Sequence, residues 1–353
     1  MIITRSPLRV SFAGGGTDIP QFYRFYSPGV VVSTSINKYV YVTVNKKFDK
    51  NVSVRYRVHE MVDNSKNLKH PLIREILLHY GVFDSVEIVI SSEVPARGSG
   101  LGASSALACA LCLALDRFTG KNQFDESSLD SKKLLAEMAS KIEIEKCGSP
   151  IGKQDHYASS VGGLNLLKFN SDESVEVFSH PEDDFYHEIE SQSMLFYLDI
   201  EHEYHSEQDG QASGRNFVQK ILRDQVSEVN EKSRIHILQR DNALSLWDHM
   251  EYAVPERFID HINENWRLKR SVHRDISNSI IDRIVESAYS AGATAAKVCG
   301  AGGGGFLYLM VPPSMQSSVR EELSDLNELS FRFDNNGSRC IFEEKDNYAD
   351  HSL

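Results

Sequence analysis

The chain has 353 residues, of which 41% are hydrophobic and 25% charged, ordinary values for a globular protein long enough for two domains. The net charge of −12 argues against a nucleic-acid partner, because no basic stripe is present to neutralise phosphates. The sequence contains neither a signal-peptide pattern nor a run of 18 apolar residues, so we expect a cytoplasmic protein with no membrane partner. No second C-x-x-C and no H-x-x-x-H accompanies Cys109 and Cys112, which argues against a zinc site, and these two cysteines are predicted to be core thiols.

The first half of the chain alternates strand and helix signals. Runs rich in Val and Tyr predict strands over residues 2–12, 30–36, 39–45, 52–58 and 86–90, and a hairpin over 164–169 and 175–178. Helical patterns cover residues 72–80, 107–115 and 132–146.

An acidic, polar stretch over residues 179–191 is the best candidate for a domain boundary, which we place between residues 1–185 and 186–353. Beyond it, strands are predicted over residues 194–198, 295–299, 306–311, 330–333 and 339–342. Helical patterns cover 208–270, 277–291 and 315–326. The pattern is typical of two mixed domains with an active site between them.

Residues 95–106 read PARGSGLGASSA and lie between a strand and an Ala/Leu-rich helix. Glycines let the backbone approach an anion, and the first amides of a helix then point at it, which predicts a phosphate-binding loop. No Walker A pattern occurs. Gly98, Gly100 and Ala103 imitate a dinucleotide fingerprint, but Asp116 stands in the helix where a second strand should end. A loop that only caps a core helix is the alternative.

Two further glycine-rich turns reduce the weight of that alternative. Residues 7–18 read PLRVSFAGGGTD, and residues 297–306 read KVCGAGGGGF. Each turn is flanked by apolar, strand-like residues. Three such turns indicate that separated segments converge on one ligand.

These three motifs, in this order, resemble those of the GHMP kinases, the superfamily of galactokinase, homoserine kinase and mevalonate kinase. Together with GKQD at residues 152–155, the RVSFAGGGTD form resembles one branch, the bacterial D-glycero-D-manno-heptose 7-phosphate kinases. The resemblance implies an α+β fold with an N-terminal domain like ribosomal S5 domain 2 and a ferredoxin-like C-terminal domain. It also implies ATP- and Mg²⁺-dependent phosphorylation of the anomeric hydroxyl of a heptose 7-phosphate, for surface-polysaccharide precursors. The expected partner is a small sugar or sugar phosphate, and the oligomeric state, including a homodimer, stays open.

The resemblance also implies which residues carry out the chemistry. Asp155 matches the family's catalytic aspartate, and Arg9, expected at the end of the first strand, matches the basic residue beside it. Glu143 and Ser105 match the magnesium ligands, and Ser104 would serve the phosphates or cap the helix. The alternatives are a helix-capping aspartate, a solvated strand arginine and, for Glu145, a solvated helix face.

Two sets of binding residues follow. The expected ATP contacts are Gly98, Ser99, Gly100, Leu101, Gly102, Ala103, Ser104, Ser105, Lys297, Gly302 and Gly303. The expected acceptor contacts are Gly15, Gly16, Thr17, Asp18, Gly152 and Lys153. Galactokinase has Glu-His where this chain has Gly15 and Gly16, which points away from galactose. A distal phosphate needs a further cation, for which Lys153, Arg24 and Arg97 are candidates.

One segment departs from the branch. Residues 199–205 read DIEHEYH where a Gly-, Ser- and Arg-bearing segment is usual, which favours an altered acceptor pocket over a metal site. A kinase for an unphosphorylated sugar such as fucose, or a catalytically silent ligand sensor, therefore stays open. The joint presence of Asp155, Glu143, Ser105 and Arg9 favours a working kinase.

Overall fold

Two β-sheets organise the chain in the computed structural model, which describes residues 1–95, 98–198 and 214–344. The strands are β1 (Ile2–Ala13), β2 (Gly29–Lys46), β3 (Val52–Arg55), β4 (His59–Val62), β5 (Val86–Ser92), β6 (Leu164–Phe169), β7 (Val175–Ser179), β8 (Ser193–Leu198), β9 (Ala295–Val298), β10 (Gly305–Met310), β11 (Asn327–Glu328) and β12 (Arg339–Glu343).

Helices cover the sheets and connect their strands. They are α1 (Pro20–Tyr23), α2 (Pro71–Tyr80), α3 (Ala103–Phe118), α4 (Leu129–Lys141), α5 (Gln154–Val161), α6 (Asp184–Gln192), α7 (Gly214–Ser227), α8 (Ser233–Glu251), α9 (Pro255–Arg270), α10 (Ser279–Ser290) and α11 (Gln316–Glu322). A π-helical turn, Ile142–Lys146, continues α4.

The first sheet has eight strands, with β12, β1, β2, β5, β3 and β4 in a row. The long strand β2 pairs with β1 along one edge, and along the other edge with β6 through its first half and β5 through its second. Among the strands that the structure describes, β3 and β5 pair in parallel and the other pairs are antiparallel. Because β12 pairs with β1, this sheet takes an edge strand from beyond residue 185.

The second sheet is antiparallel, in the order β11, β8, β10, β9. One apolar cluster joins the two sheets. The ring of Phe12 on β1 packs edge-on against Phe258 of α9 at 5.1 Å and against Tyr308 of β10 at 5.5 Å. Aromatic pairs of this kind add about 0.5–1.5 kcal/mol to the burial of their rings.

The Ala/Leu-rich run after the phosphate-binding loop forms α3, which is buried from Ser105 to Asp116 apart from Leu107. It packs against β1, β2, α4 and α5. Small side chains allow this close approach, and Cys109 and Cys112 are fully buried free thiols, as predicted. The first turn of α3 is thereby held rigidly beside the loop.

Several predicted boundaries are wrong. Residues 30–36 and 39–45 form one strand, β2, because the pairing with β1 continues through both runs. The predicted strand over 52–58 ends at Arg55 and turns into β4, with which β3 pairs. Strand β1 continues past Arg9 to Ala13, so Arg9 lies within the strand rather than at its end.

Two further stretches, residues 179–191 and 330–333, also differ from the predictions. Much of 179–191 forms α6, because Asp183 caps it by accepting from the amide of Tyr186 at 2.9 Å. Residues 330–333 form no strand, since side chains take their backbone donors. Asn37 accepts from the amide of Arg332, and Glu190 accepts from that of Phe333.

Within the described residues, the structure contains no helix that is both long and apolar enough to span a membrane.

Candidate active site

A buried ion pair lies where β1, α5 and the phosphate loop, residues 98–105, meet. Arg9 donates from Nε to Oδ1 of Asp155 and from Nη2 to Oδ2, both at 2.7 Å. Arg9 is almost fully buried, whereas the Asp155 side chain keeps 22% of its surface exposed. A bidentate pair of this kind fixes both planar groups, so one face of the carboxylate is presented in a defined direction.

The same arginine holds the phosphate loop. Its Nη1 donates to the carbonyl of Gly100 at 2.6 Å, and its backbone amide donates to the carbonyl of Leu101 at 3.0 Å. A Cβ on Gly102 would lie 3.2 Å from Oδ2 of Asp155. The structure therefore places Asp155 directly against the loop that precedes α3.

The phosphate loop packs against the C-terminal glycine turn, residues 300–305. A Cβ on Gly100 would lie 2.6 Å from the carbonyl oxygen of Cys299, and a Cβ on Gly300 would lie 2.4 Å from Cα of Gly100. Gly100 also has a φ of +72°, where a side chain is strained. The amide of Phe306 donates to the carbonyl of Ser99 at 3.1 Å. Two of the three glycine motifs, which the sequence predicts to converge, thus meet at one point.

Glu143 lies in the π-helical turn and is buried among polar partners. Its carboxylate accepts from the Ser104 hydroxyl, from the Ser105 hydroxyl at 3.2 Å and from Nε2 of His156 at 2.8 Å. Burial by itself raises the pKa of Glu143, but the hydrogen bond and charge of His156 and the two hydroxyls together lower the pKa below its usual value. The structure therefore stabilises Glu143 as a carboxylate.

Two details of this cluster differ from expectation or were missed. Ser104 does not cap α3, whose N-cap is Gly102, because its hydroxyl bonds to Glu143 instead. His156 was not predicted, although it follows Asp155 directly. Its Nδ1 is buried with no hydrogen-bond partner among the described residues.

The oxygen atoms around Glu143 are the hard ligands that Mg²⁺ prefers. One carboxylate and two hydroxyls converge here. A group of three His, Cys, Asp or Glu side chains suited to a metal ion does not occur in the described residues. Mg²⁺ typically takes one or two protein carboxylates and completes its shell with phosphates and water. Glu143, Ser104 and Ser105 fit such an ion bound together with a nucleotide.

Asp18, one of the expected acceptor contacts, is almost fully buried. It accepts from the amide of Gln154 at 3.0 Å, from Nε2 of Gln154 at 3.1 Å and from the amide of Gly16 at 3.2 Å. A Cβ on Gly152 would lie 2.0 Å from Oδ2 of Asp18, so only glycine fits there. Burial raises the pKa of Asp18 to about 6, the Gln154 amide opposes this rise, and the charge of Asp155 adds to it.

The N-terminal glycine turn, residues 14–16, is supported from several sides. The hydroxyl of Thr17 is buried and bonds to the backbone of Gly14 and Val30, so this side chain stabilises the turn rather than facing an acceptor. The amide of Gly14 donates to Asn265 of α9 at 3.2 Å. A Cβ on Gly15 would lie 3.7 Å from Nε2 of Gln154.

The three cations considered for a distal phosphate lie elsewhere or are paired. Lys153 is buried, with its ammonium 3.2 Å from Glu137 and 3.0 Å from Glu173. Arg24 pairs with Glu173 at 2.6 Å. Carboxylates thus already neutralise Lys153, contrary to its predicted role as an extra cation for the substrate. Arg97 lies outside the described residues.

The hydrogen bonds of Lys297 go to the backbone of β1 rather than to the phosphate loop. Its buried ammonium donates to the carbonyls of Ser11 and, at 3.0 Å, Phe12, and these hydrogen bonds compensate for its burial. Burial and the charge of Lys269 lower the pKa of Lys297 to about 7. Lys269, a half-buried lysine missed in the sequence, donates to the carbonyls of Val298 and Gly300.

Two of the predicted ATP contacts in the C-terminal turn also lie away from the loop. A Cβ on Gly302 would lie 2.9 Å from Ile276, and the amide of Gly303 donates to the carbonyl of Ile276 at 2.9 Å. Gly300 and Gly305 contact the phosphate loop instead. The predicted segment 199–205 lies outside the described residues.

Comparison with known proteins is decisive for the family. Residues 67–163 match the GHMP kinases N terminal domain, and residues 250–328 match the GHMP kinases C terminal domain. The chain belongs to the GHMP kinases. The predicted two-domain α+β fold is thereby confirmed, and members of this family are ATP-dependent phosphotransferases.

The chain is similar to several named kinases over most of its own length. The chain is 26% identical to a D-glycero-alpha-D-manno-heptose 7-phosphate kinase of Campylobacter jejuni, over 94% of this chain and 96% of the relative. It is also 26% identical to an L-fucokinase/L-fucose-1-P guanylyltransferase of Bacteroides fragilis, over 90% of this chain and 35% of that longer protein. A solved structure of a D-glycero-D-manno-heptose 1-phosphate kinase from Bacteroides thetaiotaomicron has a TM-score of 0.73 at 20% identity, covering 98% of this chain and all of that one.

Proposed function

We propose that this GHMP kinase is an ATP- and Mg²⁺-dependent sugar kinase that phosphorylates the anomeric hydroxyl of D-glycero-D-manno-heptose 7-phosphate. The product is the 1,7-bisphosphate, a precursor for surface polysaccharide. The observation that carries the kinase assignment is the Asp155 carboxylate, held bidentate by Arg9 against Gly102 of the phosphate loop.

This geometry suits phosphoryl transfer to a hydroxyl. Transfer requires an acceptor-side group next to the phosphates, together with positive charge near the moving phosphoryl group. Asp155 orients the acceptor hydroxyl and takes its proton, and Arg9 holds the carboxylate in place through two hydrogen bonds. The first turn of α3 supplies amides to the phosphates of ATP.

A magnesium ion fits the oxygen cluster of Glu143, Ser104 and Ser105. When bound, it would neutralise phosphate charge. His156 holds Oε2 of Glu143 at 2.8 Å and so orients the carboxylate toward this cluster.

The substrate assignment is supported by the Campylobacter jejuni relative, which matches along almost its whole length. The acceptor side also fits a bulky sugar, because Gly15 and Gly16 place no side chains beside Asp18. The charge of Asp155 acts on Asp18, whose pKa of about 6 leaves it ionised at neutral pH, so Asp18 can accept hydrogen bonds from sugar hydroxyls.

A second candidate is a kinase for an unphosphorylated sugar such as L-fucose. The observation that favours it is the pairing of Lys153 with Glu137 and Glu173, and of Arg24 with Glu173. Neither cation is left uncompensated to receive a distal phosphate. The similarity to the L-fucokinase/L-fucose-1-P guanylyltransferase is in keeping with this alternative.

A coupled assay of ADP release separates the two candidates. Heptose 7-phosphate, free heptose, L-fucose and galactose are compared under identical conditions with Mg-ATP. If the enzyme binds the distal phosphate, removing this phosphate from the substrate should lower kcat/KM at least 100-fold. This factor corresponds to a loss of about 2.7 kcal/mol of transition-state stabilisation. Comparable or better activity on free heptose or L-fucose would contradict the heptose 7-phosphate assignment. The broader assignment as a sugar kinase would still stand.

A further inference from the structure

His236 lies in the first turn of α8 and is buried against the N-terminal glycine turn. A Cβ on Gly16 would lie 3.4 Å from Cε1 and 3.6 Å from Nδ1 of its ring. The ring edge that carries Nδ1 and Cε1 therefore faces Gly16, and Nε2 is the next atom of the ring after Cε1. The amide of Gly16 in turn donates to Asp18. A helix from the second half of the chain thus brings a histidine to the acceptor side.

The two ring nitrogens have different surroundings. Nδ1 lies 3.0 Å from Oε1 of Gln239, one helical turn further along α8. Nε2 is fully buried, and no group in the described ranges hydrogen-bonds to it. A buried polar atom without a partner is destabilising and rare in folded proteins, so its presence calls for an explanation.

The state of the ring specifies the ligand chemistry. Burial lowers the pKa of His236 to about 4, so the imidazole is neutral at physiological pH. With Nδ1 donating its proton to the Gln239 oxygen, Nε2 is a hydrogen-bond acceptor. A neutral acceptor suits a hydroxyl group and offers nothing to an anionic phosphate.

We propose that Nε2 of His236 accepts a hydrogen bond from a hydroxyl of the bound sugar and so helps to select the acceptor. This inference rests on the proposed function as a sugar kinase. Asp18 and His236 then flank Gly16 with two hydrogen-bond acceptors, one charged and one neutral. A sugar that lacks the matching hydroxyl leaves Nε2 unpaired and binds less well.

A purely structural histidine would behave differently. Such a residue would act through the Nδ1–Gln239 hydrogen bond and through packing against Phe22, whose ring centroid is 5.7 Å away. In that case the polar group at the Nδ1 position would matter, and the one at the Nε2 position would not. Two substitutions separate these cases, because the amide of Asn occupies the place of Nδ1 and the amide of Gln reaches that of Nε2.

The experiment compares His236→Asn with His236→Gln in the full-length protein. For whichever sugar of the panel the wild type phosphorylates, H236N should lower kcat/KM about 10- to 100-fold, since an unmade buried hydrogen bond costs about 1–3 kcal/mol. H236Q should stay within about fivefold of the wild type. The affinity for Mg-ATP should be unchanged in both. His249→Asn, on the same helix and 2.8 Å from His261, is the matched control and should leave kcat/KM unchanged.

The outcomes are distinct. H236N equal to wild type, or H236N more active than H236Q, would overturn the inference and leave the sugar kinase intact. Equal losses in kcat/KM and in Mg-ATP affinity for both variants would assign His236 a structural role and also overturn it. Absence of wild-type activity on every sugar would overturn the proposed function, and the inference with it.

Discussion

Gly102 lies directly against Asp155, so that a Cβ at residue 102 would come within 3.2 Å of Oδ2 and 3.3 Å of Cγ of the carboxylate. The same Cβ would lie 3.4 Å from Cγ of Arg9. The glycine that caps α3 therefore also sets the position of the Arg9–Asp155 ion pair. In the proposed mechanism, phosphate binding and acceptor activation both depend on this backbone contact.

A comparison of Gly102→Ala with Gly81→Ala should separate the effect of the contact with Asp155 from the effect of backbone strain. Gly102 has φ +76° and ψ 24°, and Gly81, which ends α2 with nothing near its Cβ position, has φ +73° and ψ 23°. Both alanine variants should lose about 1–2 kcal/mol of unfolding free energy from the left-handed conformation. Only Gly102→Ala should lose turnover, about 100-fold, because Asp155 is displaced. Urea unfolding and initial rates test this, and equal turnover in the two variants would contradict it.

Asp155→Asn should lower kcat about 10²- to 10⁴-fold, since it removes the group that takes the proton from the acceptor. Nucleotide affinity, measured by calorimetry, should be unchanged. Because Arg9 loses its charge partner, thermal unfolding must confirm that the variant is folded at the assay temperature. Turnover within a few-fold of the wild type would remove Asp155 from the mechanism and favour a ligand sensor.

Glu143→Gln should weaken the binding of Mg-ATP while leaving metal-free ATP binding nearly unchanged, because the lost carboxylate acts on the ion. Excess Mg²⁺ should partly restore activity. Glu145→Gln is the control, since Glu145 lies two residues away and is exposed. Equal weakening with and without metal would show that Glu143 acts only within its hydrogen bonds to Ser104, Ser105 and His156.

The buried carboxylate of Asp18 predicts a pH dependence of stability. Burial raises its pKa from 3.8 to about 6, so between these values the folded protein retains a proton that the unfolded chain has lost. Its contribution is full below about pH 4 and is lost as the pH rises through 6, a change of about 3 kcal/mol.

Urea unfolding of the wild type and Asp18→Asn tests this sign. The unfolding free energy of the wild type minus that of the variant should fall by about 3 kcal/mol between pH 4 and pH 7.5. A constant or rising difference would show that Asp18 is not destabilised by its burial.

Sequence patterns were sufficient where chemistry and periodicity are local. The phosphate loop, α3 and the meeting of two glycine turns follow from glycine spacing and an apolar run. Asp155 and Arg9 are 146 residues apart, and their proximity followed only from resemblance to a family.

The sequence pattern could not show which partners form hydrogen bonds or ion pairs with each buried polar side chain. Lys153 and Lys297 read as cations for the ligand, yet neighbouring carboxylates and carbonyls compensate them in the folded chain. His236 carries no motif, and its place beside Gly16 depends on how α8 packs against the first sheet. His156, by contrast, follows Asp155 directly, so its place near the site follows from that of Asp155.

The most direct test of the proposed function is phosphorus NMR of the product formed from Mg-ATP and D-glycero-D-manno-heptose 7-phosphate. We expect one new phosphate signal per ADP released, coupled to the anomeric proton, with the 7-phosphate signal retained. The Asp155→Asn protein should give no such signal on the same timescale. A new phosphate at another carbon, or phosphorylation of L-fucose but not of heptose 7-phosphate, would contradict the assignment.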